Sequence, residues 1–138
     1  MRNFFTLILF LIAFSINSQK NNKSPNIILI MVDDLGSECL ESYGGTSYNT
    51  PILTKMSKNG MQFKNAHSMP ICTPSRVKLM TGKSNKKNHV SFAYLDPKEK
   101  TFSQELRSAG YETLIAGKWQ LGYDKKLPEY FGFDEHIL

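Results

Sequence analysis

Cysteine is scarce in this chain: Cys39 and Cys72 are the only two. A framework of several disulfides is therefore excluded, and one Cys39–Cys72 pair is the most an exported form could build. Cys39 reads as a small, partly buried side chain, while the surroundings of Cys72 suggest another use for its sulfur. Apolar runs are short. The longest, Phe4 to Ile16, has 13 residues, whereas a helix needs roughly 20 to span a bilayer. Internal repeats and low-complexity segments are missing, and nothing suggests a fibrous or disordered chain. No basic stripe is interleaved with aromatics, which argues against a nucleic-acid partner.

What is present fits one domain at most: 138 residues, 41% hydrophobic and 12% aromatic. Arg2 supplies a positive start. The apolar run that follows is broken only by Thr6 and Ser15, and Asn17-Ser18-Gln19-Lys20 then turns polar. This is the pattern of a secretory signal peptide over residues 1–18, cleaved after Ser18, with residues 19–25 as a linker. A membrane anchor is the competing reading. No cysteine lies nearby to accept a lipid, and Asp33-Asp34 end the next apolar run, so no stable membrane insertion is expected after cleavage. The mature protein is expected outside the cytoplasm, in a periplasm or the extracellular space. The net charge of +5 is compatible with an anionic substrate, but a solvated basic surface is the preferred reading.

Asn26 to Val32 contains Ile27-Ile28-Leu29-Ile30-Met31-Val32, and such a run predicts a strand buried on both faces of a parallel sheet. Leu35 to Asn49 reads as loop. Thr50-Pro51 combines an N-cap hydroxyl with proline at the first helical position, and Gly60 is a natural stop. Met61 and Phe63 alternate with polar residues and predict a short strand. Thr73-Pro74 repeats the cap-and-proline signal for a helix from Pro74 to Thr81, closed by Gly82. Residues 82–100 read as a polar loop, Phe102 to Ala109 as a helix and Tyr111 to Ala116 as a strand. The alternation predicts an α/β fold with a largely parallel sheet. Three strands make a poor doubly covered sheet, and Phe131 to Leu138 begins another apolar element. The chain therefore reads as the opening of a larger domain, with an intact small domain as the alternative.

Three candidate sites each follow a predicted strand or open a helix, where ligands of open α/β sheets bind. Asp33 and Asp34 follow the buried run. Two carboxylates there are costly unless compensated, and calcium or magnesium would compensate them; one carboxylate capping a turn while the other faces water is the simpler alternative. Cys72 precedes a helix N-terminus, whose N–H groups and dipole favour negative charge. Arg76 lies one turn further, and its guanidinium suits a forked oxyanion. A packed cysteine beside a surface arginine is the alternative. Lys118 follows the last strand. Lys83, Lys86, Lys87 and His89 could contact an anionic substrate, but solvated loop charges are the preferred reading. His67 is read as structural, and His136 receives no role.

Pro70-Ile71-Cys72-Thr73-Pro74-Ser75-Arg76-Val77-Lys78-Leu79-Met80-Thr81-Gly82 resembles the first signature of the sulfatase family, Cys-x-Pro-Ser-Arg followed by paired apolar residues and Thr-Gly. Asn26 to Gly36 resembles the family's opening strand and Asp-Asp motif, and Tyr43-Gly44-Gly45 and Thr50-Pro51 sit where members have similar residues. Gly110 to Gln120 resembles the second signature, which usually ends Gly-Lys-Trp-His. The resemblance runs from Pro25 to Leu138.

The resemblance implies an alkaline-phosphatase-like α/β sandwich with a mostly parallel sheet flanked by helices, of which residues 26–138 would be the N-terminal part. It implies a sulfuric ester hydrolase acting on a sulfated carbohydrate or aryl sulfate. A separate maturation enzyme would oxidise Cys72 to formylglycine, with Pro74 and Arg76 in the sequence it recognises. One hydroxyl of the hydrated aldehyde, activated by a calcium-like ion (magnesium is possible), would attack sulfur and expel the alcohol. The second would let the enzyme-sulfate collapse back to aldehyde. Asp33, Asp34 and the converted residue 72 would be metal ligands, Arg76 would hold the formylglycine, and Lys118 would bind sulfate oxygens.

Gln120 replaces the usual histidine. It can hydrogen-bond but not carry charge, which implies a slower enzyme, a different substrate or a decayed copy. The family's later metal ligands, histidine and lysine cannot be placed in these 138 residues, so the chain is read as a fragment inactive alone. Two alternatives stand beside this reading. One is a related phosphodiesterase, against which the cysteine signature argues. The other is a non-catalytic remnant or sulfated-glycan-binding module.

Overall fold

The computed structural model describes residues 24–138; the signal peptide read from residues 1–18 lies outside them. The chain divides into two units between Val32 and Asp33. In the first, residues 24–32 form no helix or strand, and Ile27 to Val32 are exposed. The doubly buried strand expected there is not formed. A strand exists through its ladder partners, and β-branched residues alone do not supply one.

In the second unit, two 3-10 turns (Ser37–Cys39 and Glu41–Tyr43) lead to α1 (Pro51–Asn59), α2 (Cys72–Thr81), α3 (Asn85–Asn88), α4 (Phe102–Ser108), β1 (Leu114–Ala116), α5 (Leu127–Tyr130) and β2 (Glu135–Ile137). β1 and β2 pair in parallel, with Leu114 opposite Glu135, Ile115 opposite His136 and Ala116 opposite Ile137. Residues 117–134, including α5, form the crossover that a parallel pair requires. The α/β class and the parallel pairing match the expectation, and the apolar tail becomes β2.

Three local expectations fail. No strand forms at residues 61–63; the Phe63 carbonyl accepts from the Tyr43 hydroxyl at 2.9 Å, and the Gln62 side-chain amide donates to the Ser42 carbonyl at 2.5 Å. The polar loop after Gly82 contains α3. The hydroxyl of Thr50 does not cap α1. It accepts from the Glu41 N–H at 3.1 Å, while the Glu41 carboxylate accepts from Thr50 N–H and the Thr54 hydroxyl, both at 3.0 Å. α4 starts on a full capping box between Thr101 and Gln104.

The core is small and aromatic. Val77 and Met80 of α2 pack with Leu95, Trp119, Leu121, Phe131 and Phe133, bordered by Phe102, Ile115 and Leu127. Trp119 meets Phe131 at a ring separation of 6.0 Å and Phe133 edge-on at 6.2 Å, the offset geometries that aromatic pairs favour. α2 is thus fixed by its i, i+3 pair, and residues 118–120 are fixed by the tryptophan between them. Among the described residues no helix is long and apolar enough to cross a membrane.

Candidate functional site

Cys72 is the first residue of α2, not the residue before it; Ile71, in extended conformation, is the cap. The helix opens two residues earlier than the proline signal implies. Pro74 still fits, because the first-turn N–H groups have no intrahelical partner to lose. Thr73 is fully buried, and its hydroxyl accepts from the Ala93 N–H at 3.1 Å. Ser75 ties down the entering chain: its hydroxyl accepts from Met69 N–H at 3.0 Å and lies 3.1 Å from the Ile71 carbonyl and 3.2 Å from that of Met69. Sequence reasoning missed these two hydroxyls as site-building groups. Their position in the first turn of a helix, where side-chain oxygens meet free backbone groups, was the available signal.

Arg76 projects from the same turn and is 9% exposed. It donates to the Lys118 carbonyl at 2.5 Å and to the Asp33 carboxylate at 3.4 Å. Lys118 donates its ammonium to the other Asp33 oxygen. The ammonium hydrogen bond holds the Asp33 carboxyl below its usual range and the Lys118 ammonium above its own, and a charge at Cys72 adds to the latter. Lys118 reaches this place because Gly117 turns the chain off β1 at φ +105°, a conformation open to glycine, while Trp119 anchors the turn in the core. Asp33, Arg76 and Lys118, 43 and 85 residues apart along the chain, therefore meet beside the first turn of α2.

Asp34 is exposed with φ +53°. Gln120 follows Trp119, also with φ +53°. Four buried side-chain polar atoms lack a hydrogen-bond partner among the described residues, and three belong to this neighbourhood: Arg76 Nε, Trp119 Nε1 and Gln120 Oε1. Buried polar atoms are nearly always paired, and Arg76 Nε is the one of these that belongs to a side chain engaged with Asp33 and Lys118. Cys39 and Cys72 are both unpaired. His67 is exposed, and His136 is half-buried on β2.

Asp33 and Asp34 carry the hard oxygen donors that calcium or magnesium prefers, but calcium takes about six to eight oxygens. Among the described residues no group of three or more His, Cys, Asp or Glu is placed to hold a metal, and Asp33 is already engaged by two cations. The two aspartates fit part of a metal shell, and Cys72 does not join them in one.

A family model described as Sulfatase matches residues 25–137. Arylsulfatase G of Mus musculus is 35% identical over 136 residues, covering 92% of this chain and 26% of that protein. N-acetylgalactosamine-6-sulfatase of Canis lupus familiaris is 35% identical over 146 residues, covering 94% and 28%. The solved structure of BT4656 in complex with its substrate D-glucosamine-2-N,6-O-disulfate superposes with a TM-score of 0.73 at 32% identity, covering 83% of this chain and 23% of that one. The chain spans 23% to 28% of the length of these relatives. A match over nearly all of residues 25–138, joined to the shared α/β architecture, shows that this chain belongs to the sulfatase family and has its alkaline-phosphatase-like fold.

Proposed function

We propose that this chain supplies the nucleophile-bearing part of a sulfuric ester hydrolase whose substrate is a sulfated carbohydrate or an aryl sulfate. The convergence of Asp33, Arg76 and Lys118 beside Cys72 carries this reading. Cys72 is converted to formylglycine by a separate maturation enzyme that brings its own two-electron oxidant and source of oxygen, the side chain losing the elements of hydrogen sulfide and gaining one oxygen. One hydroxyl of the hydrated aldehyde attacks the sulfur of the ester, and the alcohol leaves with its own oxygen. The second hydroxyl then gives up its proton, the bond from carbon to the sulfate oxygen breaks, the aldehyde re-forms and sulfate departs.

Asp33 and Asp34 would hold calcium or magnesium, which when bound supplies Lewis-acid charge at the reacting oxygens. Lys118, which donates to Asp33 here, would turn its ammonium to the sulfate oxygens. Arg76 stays fixed by the Lys118 carbonyl and holds the oxygen of residue 72. Gln120 offers the sulfate a hydrogen bond without charge. Residues 1–18 are a signal peptide in this reading, so the exported protein begins at Gln19.

The full reading frame that carries this chain, expressed beside a competent maturation enzyme, is expected to release sulfate from an aryl sulfate in the presence of calcium. Cys72→Ala is expected to abolish that release, and residues 1–138 alone are expected to show none. Release no greater than that of the Cys72→Ala control contradicts the proposal. A second reading, binding of a sulfated glycan without turnover, is favoured by Gln120, whose buried Oε1 lacks a partner and whose side chain cannot carry a proton to a leaving group. Saturable glycan binding by the full frame with no sulfate release would establish it instead.

A further inference from the structure

Asparagine precedes glycine at one place in the chain, Asn59-Gly60, and that place ends α1. Asn59 is its last residue and Gly60 its cap, and both are exposed. The caps of α2, α3, α4 and α5 each donate their N–H to a carbonyl of the helix they close. Gly60, at φ -128° and ψ -149°, does not. Among the described residues its N–H has no acceptor, and the Asn59 carboxamide has no hydrogen-bond partner.

This end of α1 is also loosely held. The helix has 9 residues and buries none of them, and a helix shorter than about 12 residues is marginal without packing. Its staples, from Thr50 and Thr54 to the Glu41 carboxylate, lie at the opposite end. Terminal residues of helices fray, so Asn59 can leave its helical dihedrals. Gly60 accepts almost any backbone conformation and has no side chain to obstruct an approach.

These features meet the requirements of one intramolecular reaction. The Gly60 nitrogen loses its proton and attacks the carbonyl carbon of the Asn59 side chain, forming a C–N bond. The bond from that carbon to the side-chain nitrogen breaks, and ammonia leaves with the proton. Water then adds to either carbonyl of the resulting five-membered succinimide and reopens it. The products are aspartate, or isoaspartate with the main chain running through the side-chain carbon. The net change is one ammonia lost and one water gained. We propose that Asn59-Gly60 is a site of spontaneous covalent modification, converting to isoaspartate in the folded protein. The new carboxylate at the helix C-terminus opposes the macrodipole that Lys58 complements, and the lengthened main chain breaks the helical repeat. α1 therefore unravels from this end, while α2 and the turn bearing Cys72 stay on the core.

The test is incubation of the purified full reading frame in mildly alkaline buffer, with and without urea. Conversion is followed by peptide mass spectrometry, and isoaspartate by methyl transfer from an isoaspartate-specific carboxyl methyltransferase. Asn59 is expected to convert at nearly the same rate in both buffers. It is expected to run ahead of Asn49 and Asn65, which are also exposed but precede Thr50 and Ala66. Gly60→Ala, at a negative φ that alanine adopts, is expected to slow residue 59 to the rate of Asn65. Hydrogen exchange of the aged protein is expected to quicken over residues 51–59 and not over residues 72–81. Aged Asn59→Gln, whose longer side chain disfavours ring closure, is expected to keep the slow exchange of fresh protein. Asn59 intact after Asn65 has converted, conversion in urea alone, or an unchanged rate in Gly60→Ala overturns the inference. Exchange that quickens equally in aged Asn59→Gln overturns it as well.

Discussion

Residues 37–63 and residues 72–137 are held in place by different forces. The later stretch has a core: α2 is pinned by Val77 and Met80 against Trp119, Phe131 and Phe133. The earlier stretch has none. α1 buries no residue, and Ile52, Leu53, Met56, Met61 and Phe63 are all exposed. Its order comes from polar staples, chiefly Glu41 with Thr50 and Thr54 and Tyr43 with Phe63. The groups proposed for chemistry follow this division. Cys72, Arg76 and Lys118 are mounted on or next to the core, which can fix a side chain where polar staples on an exposed surface cannot.

Substitutions can break this comparison. The largest effect is expected at Phe131, which is fully buried: Phe131→Ala should cost about 3–5 kcal/mol of stability, whereas Ile52→Ala on α1 should stay within about 0.5 kcal/mol. Urea denaturation of the two variants measures both, and similar losses would erase the distinction. Thr73→Val keeps the volume but strands the Ala93 N–H, so it should cost about 1–3 kcal/mol and expose the Ala93 amide to faster hydrogen exchange. Glu41→Ala removes the acceptor that starts α1 and should cost about 1 kcal/mol, with the loss of order confined to residues 37–63 by the same exchange measurement.

The smallest effect concerns acid. The Asp134 carboxyl is held below its usual range, first by the Thr113 backbone N–H, then by the Thr113 hydroxyl, with Arg107 beyond. A lowered carboxyl stabilises the fold at pH above its unfolded value, and that stability is lost as pH falls through its folded value. Asp134→Asn should therefore show a shallower fall in Tm between about pH 5 and 3 than the wild type. An unchanged slope would show that Asp134 does not tie β1 to the turn before β2.

Much of this was legible in the residues. The glycine stop at Gly82, the helix from Phe102 and the parallel sheet follow from local rules, and the signature around Cys72 pointed to the family. Asp33-Asp34, Cys72-Arg76 and Lys118 each follow a predicted strand or open a helix, and of these Asp33, Arg76 and Lys118 do meet. Other features depended on partners that local pattern does not contain. Residues 26–32 carry a strand composition without a ladder among the described residues. Residues 61–63 alternate like a strand but are tied instead to Ser42 and Tyr43. α3 has no apolar periodicity to announce it, because two asparagines rather than a hydrophobic face hold it to α2.

The central claim is that Cys72 is the precursor of the nucleophile. Mass spectrometry of the tryptic peptide spanning residues 65–76, from protein made beside an active formylglycine-generating enzyme, tests it most directly. The account predicts a peptide that has lost the mass of hydrogen sulfide, gained that of one oxygen and reacts with an aldehyde reagent. An unmodified thiol at Cys72, in cells that convert a control sulfatase, would contradict it.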